Sequence, residues 1–267
     1  RGLNLETPLV AHIGGLHIVT RLPLLGDAPT VTRLELTADE LRLPLNASAR
    51  GVRALLFGRF RPGGYRFEPS ELRLSAESVV AAGFTADAFS AQLTPQPLPR
   101  LEADIVTRIM GAPIAVQASA DFATRSAVLQ FAGAISPRVL EPLSARLGAN
   151  VRTWFDFQAL DCDDGVVRLG PGWSFEKLTA RVAVRGIDAY HVPIDEGRAT
   201  IELGGGRVYA PEAWARIGAN FARGSYEQDL KTRDYRFLLD GRLRPLDISG
   251  WFHEWWPNFF RQLEFPV

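Results

Sequence analysis

The sequence predicts a mainly β protein: an elongated, curved antiparallel sheet, either an open groove or a flattened barrel, with a few short helices. Three observations predict it. Apolar and polar residues alternate with period two, turn-forming residues recur at short intervals, and only three short segments carry helical spacing.

Alternation is clearest in Arg33-Leu34-Glu35-Leu36-Thr37-Ala38, where Leu34 and Leu36 share one face and Arg33, Glu35 and Thr37 the other. Leu41, Leu43 and Leu45 likewise oppose Arg42 and Pro44, and Leu72 and Leu74 oppose Arg73. Asp39-Glu40, between the first two stretches, reads as a hairpin tip. Further on, Tyr235, Phe237, Leu239 and Leu243 oppose Arg236, Asp240 and Arg242 as one long strand. Turn signals fall at Gly14-Gly15, Gly26-Asp27, Pro62-Gly63-Gly64, Met110-Gly111, Asp163-Asp164-Gly165, Gly170-Pro171-Gly172 and Gly204-Gly205-Gly206. That density points to a meander rather than strands alternating with crossover helices.

Three short helices are expected. The first opens at Pro137 with Ser136 as N-cap, carries Val139, Leu140, Leu143 and Leu147, and stops at Gly148. The second covers Pro211 to Ile217 and ends at Gly218. The third begins near Pro245 and holds Ile248, Trp251, Phe252 and Trp255 until Pro257 interrupts it.

Composition narrows the function. The 267 residues are 46% hydrophobic and 22% charged, enough to bury one elongated core or two compact ones. Thirty basic and thirty acidic residues cancel, so no net field draws the chain to nucleic acid. The single cysteine, Cys162, excludes an internal disulfide framework and a thiolate-rich metal site, suits an oxidising compartment, and reads as a small buried apolar side chain. No apolar run reaches the ~18 residues that a membrane-spanning helix needs, and no export leader is present. The start at Arg1 rather than methionine leads us to expect a piece of a longer protein whose targeting segment lies upstream.

Catalytic chemistry finds no constellation. His12 and His17 are five apart, so on a strand they face opposite sides and cannot share a metal; His191 and His253 have no nucleophile nearby in sequence. Asp161, Asp163 and Asp164 lack the spaced ladder and terminal glutamate of a calcium loop and read as a hairpin turn. Gly204-Gly205-Gly206 has no following helix or lysine to hold phosphate and reads as a turn. No catalytic residue, metal site or cofactor is therefore expected.

An internal repeat organises the chain. Gly133-Ala134-Ile135-Ser136-Pro137-Arg138-Val139-Leu140 matches Gly241-Arg242-Leu243-Arg244-Pro245-Leu246-Asp247-Ile248 as Gly-x-apolar-x-Pro-x-x-apolar, with the glycines 241 − 133 = 108 residues apart. Each copy follows a hairpin and precedes a helix, which gives two related modules, about 100–148 and 206–262, within a single elongated domain over 1–267. Gly58-Arg59-Phe60-Arg61-Pro62 keeps the spacing but leads into Gly63-Gly64.

These units, with the closing stretch from Gly224-Ser225-Tyr226-Glu227-Gln228-Asp229-Leu230 through Gly241-Arg242-Leu243-Arg244-Pro245 to Trp251-Phe252-His253-Glu254-Trp255-Trp256, resemble the AsmA-like group of bacterial envelope proteins, related to the TamB-type repeating β-groove lipid transporters. The match covers about the last hundred residues; the front half agrees in its meandering strands. The resemblance implies an apolar-lined trough in the periplasm, anchored by an upstream inner-membrane helix, that moves phospholipid toward the outer membrane. Its expected partners are phospholipid acyl chains, other envelope proteins and a membrane, reached through the anchor or the C-terminal aromatic cluster, and no nucleic acid.

The residues expected to line such a groove are Leu34, Leu36, Leu41, Leu43, Leu72, Leu74, Val182, Val184, Tyr235, Phe237 and Leu239, with ordinary core packing as the competing role for each. Trp251, Phe252, Trp255, Trp256, Phe259 and Phe260 form an aromatic cluster that caps a sheet end or rests on a membrane. The leading expectation is a non-enzymatic lipid-binding groove in outer-membrane biogenesis. The alternatives are a closed structural or partner-binding β scaffold and, more weakly, a glycan-processing β-solenoid enzyme.

Overall fold

The computed structural model describes residues 10–20, 30–43, 47–61, 66–81, 83–95, 99–147, 150–153, 155–232, 234–251 and 255–262. It is mainly β, as expected, and antiparallel. The strands are β1 (Val10–Thr20), β2 (Thr30–Leu43), β3 (Ala47–Arg61), β4 (Arg66–Ala81), β5 (Phe84–Pro95), β6 (Arg100–Ile109), β7 (Ala112–Asp121), β8 (Ser126–Ile135), β9 (Phe155–Gly170), β10 (Ser174–Ala189), β11 (Val192–Gly204), β12 (Arg207–Ile217), β13 (Asn220–Asp229) and β14 (Tyr235–Arg242). Two short helices, α1 (Leu140–Leu147) and α2 (Trp255–Gln262), accompany them.

Two compact units divide the chain: Arg1–Leu129 with Gly170–Trp173, and Gln130–Leu169 with Ser174–Val267. In the first, β1 to β7 pair antiparallel in chain order. In the second, β10 to β14 do the same. Hairpins joining such strands need left-handed residues, and the turns supply them: Met110-Gly111 at φ 52° and 89°, and Gly205-Gly206 at φ 57° and 77°.

The second unit holds a packed core of Leu140, Phe157, Cys162, Ala180, Val182, Val184, Ile187, Val192 and Ile194. Elements that follow strands close it. After β8, the Ser136 hydroxyl caps a 3-10 turn by accepting the Arg138 N–H, and α1 then buries Leu140 in the core. After β14, turns carry Ile248 and Trp251 against the same core, and the Trp251 Nε1–H donates to the Ala189 carbonyl at 2.8 Å. Both copies of the Gly-x-apolar-x-Pro pattern thus end a strand and open helical turns.

Five segments depart from the sequence reading. Asp39-Glu40 is no hairpin tip but lies inside β2, and Gly14-Gly15 lies inside β1, where the β1–β2 register shifts around Ile13. Asp163-Asp164-Gly165 continues β9 rather than turning. Its acidic side chains meet arginines of β10, Asp161 with Arg185 at 3.7 Å and Asp164 with Arg181 at 3.9 Å. Gly165 is glycine because the Phe131 ring occupies the space a Cβ would need. Pro211 to Ile217 forms the end of β12, not a helix, since Ala213, Ala215 and Ile217 find strand partners. Pro211 is tolerated because both β12 ladders skip it, so no N–H is needed there. Pro257, expected to stop a helix, instead sits in the first turn of α2, where N–H groups have no partner to lose. The expected turns at Gly26-Asp27 and Pro62-Gly63-Gly64 lie outside the described residues, as do Gly148, Phe252 and His253.

Candidate apolar binding face

In the first unit, directly paired residues from β2 to β7 line up in three lateral apolar rows, and directly opposed residues share a face. The first row is Leu34, Leu56, Leu72, Leu93, Ala103 and Ala118. Next comes Leu36, Ala54, Leu74, Ala91, Ile105 and Val116, and then Leu41, Ala49, Val79, Ala86, Ile109 and Ala112. Five strand-to-strand steps separate β2 from β7, so each row runs about 24 Å at ~4.8 Å per step.

The third row requires the strands to reverse their alternation. Leu36 and Leu41 are five residues apart, as are Leu74 and Val79, so strict alternation would send them to opposite faces. The ladders break between the two rows: Gly51 sits at φ 59° in β3, and Ala88 at φ 51° in β5. Between Asp87 and Ser90 the β5–β6 register shifts by one residue. The Thr107 hydroxyl stabilises that bulge by donating to the Asp87 carbonyl at 3.0 Å, so its burial at 6% exposure leaves no orphan. In β6 and β7 the equivalent residues, Ile105 with Ile109 and Val116 with Ala112, are four apart and need no reversal.

The opposite face is charged and follows the same reversal. Before it, Glu35 accepts from Arg33 at 2.9 Å and Arg53 at 2.6 Å, while Arg73 pairs with Glu71 and lies 5.2 Å over the Phe57 ring. Beyond it, Arg42 reaches Glu40 at 3.3 Å. The Arg53 hydrogen bond, with the Arg33 charge beside it, holds the Glu35 carboxyl below its ordinary pKa. These pairs are at the surface, so they mark which side is wet more than they stabilise.

Burial distinguishes this face from the core of the second unit. Only its small residues and Leu93 are fully buried: Ala38, Ala49, Ala76, Ala91 and Leu93. Leu34, Leu36, Leu41, Leu72 and Leu74 are half-buried, and the first unit's own helical element among the described residues is a 3-10 turn at Pro171–Trp173, which packs on Phe122. Val182 and Val184, expected on the same kind of wall, lie in the closed core at 7% exposure each.

Tyr235, Phe237 and Leu239 lie exposed on β14 at 61%, 40% and 43%, with Phe237 against Trp251 at 6.0 Å between centroids. Of the aromatic cluster, Trp251 is half-buried in the core's edge, while Trp255 is 52% exposed and stacks on Trp256 at 4.2 Å. The side chains of Leu43, Phe259 and Phe260, like all of Phe252, fall outside the described residues.

The sequence reading passed over β3 and β5 to β7. Its signal was present in Leu101, Ala103 and Ile105 between Glu102 and Asp104, and in Ile114, Val116 and Ala118, but alanine is one of the three residues in each pattern and weakens the contrast.

Among the described residues no three His, Cys, Asp or Glu side chains gather to hold a metal ion, and no helix is long and apolar enough to cross a membrane. His191 is an exposed turn residue whose N–H donates to Asp188 Oδ1 at 2.9 Å. Comparison with family models, with curated proteins and with solved structures finds no match to this chain.

Proposed function

We propose that the chain binds phospholipid acyl chains along the apolar face of β2 to β7, without turnover, as part of lipid handling in a bacterial envelope. The observation that carries this reading is the set of three apolar rows whose leucines stay half-buried, with no helix of the same unit laid on them among the described residues. A row of about 24 Å exceeds the ~15 Å that one leaflet contributes to a hydrocarbon core of ~30 Å. Each methylene placed there gains about 0.8 kcal/mol, so a dozen of them outweigh the cost of holding a chain. A periplasmic location and an inner-membrane anchor belong to the same proposal and rest on the AsmA-like resemblance.

Lipid extraction of the purified chain followed by mass spectrometry tests it. Phospholipid is expected in the wild type and lost in Leu36→Asp/Leu74→Asp, which sets two carboxylates at the middle of the face; circular dichroism checks that the strands persist. A wild type free of lipid would defeat the proposal. It would favour a partner-binding scaffold, the second reading, which the closed core around Val192 at 1% exposure supports.

A further inference from the structure

β14 is the last strand of its unit and pairs with β13. The Asp229 N–H donates to the Asp234 carbonyl at 2.9 Å, and main-chain groups alternate in direction along an antiparallel ladder. Even-numbered residues of β14 therefore bond β13, and the N–H and C=O groups of Tyr235, Phe237, Leu239 and Gly241 point away from it. All eight residues are exposed, including Leu238 at 56%. Natural sheet edges are ordinarily blunted by proline, lysine or a covering element. This one has no proline and no lysine.

We propose that β14 pairs antiparallel with β14 of a second copy of this chain, with the two-fold axis at Leu238. Charge complementarity carries the proposal. Asp234, Arg236, Asp240 and Arg242 are placed symmetrically about Leu238. Pairing about that residue sets Arg236 against the partner's Asp240 and Asp234 against the partner's Arg242, each twice. On the other face Phe237 meets the partner's Leu239, and Tyr235 covers the partner's Gly241, a favourable cross-strand pair for a bare glycine.

The register is also specified by what it avoids. Only odd-numbered residues offer outward main-chain groups, so the pairing can slip only by an even number of residues. A slip of two one way opposes Arg236 to the partner's Arg242, and the other way Asp234 to the partner's Asp240. Asp240 has an intrachain contact with Arg223 at 3.6 Å, but with side chains 82% and 74% exposed it is a weak surface pair that leaves the carboxylate accessible.

Sedimentation velocity of the full chain over a concentration series reads the assembly. A dimer is expected for the wild type. Arg236→Asp and Asp240→Arg should each abolish it, because each opposes like charges twice, and the double variant R236D/D240R should restore it. Leu238→Cys should form an interchain disulfide on mild oxidation, since the axial pair does not hydrogen-bond and its Cα atoms approach to ~4.5 Å, within disulfide reach. Leu239→Cys should not. A wild type that stays monomeric, a dimer indifferent to both single reversals, or a double variant that remains monomeric while its unfolding midpoint is normal would overturn the proposal.

Discussion

Trp251→Ala removes a half-buried ring from the edge of the second unit's core, together with the Nε1–H hydrogen bond to Ala189. Truncating a fully buried tryptophan costs ~3–5 kcal/mol, so a half-buried one should cost about 2–3 kcal/mol. Roughly 1 kcal/mol of that is the hydrogen bond, which Trp251→Phe removes while keeping most of the apolar area. Trp255→Ala provides the contrast: its ring is 52% exposed on α2, and its loss should stay under about 1 kcal/mol. Equilibrium urea unfolding separates the three. With a slope of ~2–3 kcal/mol per M, Trp251→Ala should lower the midpoint by about 1 M, Trp251→Phe by less than half of that, and Trp255→Ala only marginally. If Trp251→Ala left the midpoint in place while binding to phospholipid vesicles vanished, the ring would be a membrane contact and the sealing role assigned to it would be wrong.

Two further outcomes follow from backbone and turn chemistry. Gly186 lies at φ 58° inside β10 with Gln158 where its Cβ would be, so Gly186→Ala should destabilise the second unit by about 1–2 kcal/mol, read as a lower unfolding midpoint in urea. Asp229 accepts the Thr232 N–H at 3.0 Å and the Lys231 N–H at 2.9 Å in the β13–β14 turn, and these hydrogen bonds, Thr232 first, lower its pKa from 3.8. Since the folded pKa is depressed, its contribution is complete above pH ~3.8 and is lost as pH falls through the lower folded value. An NMR titration should place its midpoint below 3.8, and Asp229→Asn should remove the acid-dependent part of that turn's stability; a midpoint at or above 3.8 would contradict the turn geometry.

Strand character was legible because Leu34, Leu36, Leu72 and Leu74 alternate with charged residues that could not be buried without partners. What misled the reading was the reversal of that alternation. Moving from Leu36 to Leu41 shifts the apolar residues from even to odd positions, and a break in phase at two acidic residues resembles a hairpin tip. It is instead the place where β2 crosses a line of irregularities running through Gly51 and Ala88. The same ambiguity hid β9, where Asp163-Asp164-Gly165 looks like a turn until the arginines of β10 and the Phe131 ring account for each residue. For the face of β2 to β7, seven of the eighteen residues in the three rows are alanine, whose placement depends on which strands pair. That register is a long-range property no local pattern encodes. The helix misread at Pro211 to Ile217 has a related cause, since a seven-residue segment has no length advantage as a helix and β11 and β13 offer it ladders on both sides.

Alternation alone does not decide whether an apolar face becomes a core or a wall for a ligand, and the two units show what does. In the second, one lateral row runs Val184, Gly197, Ala215, Ala222 and Gly241. Its glycines leave space that the unit's own atoms take: a Cβ at Gly197 would lie 2.9 Å from Ile187 Cδ1, and one at Gly241 would lie 2.6 Å from Ala222 Cα. Over that unit's core the chain then brings its own cover, Leu140 from α1 and Ile248 and Trp251 from the segment after β14. The first unit has leucine through the matching kind of row, Leu34, Leu56, Leu72 and Leu93, and of these Leu93 is buried while the other three stay half-exposed. Small residues with a following helix therefore build a closed interior. Large residues left half-exposed keep apolar area in contact with water along a row of about 24 Å, and the acyl chain of the proposed function would cover that area.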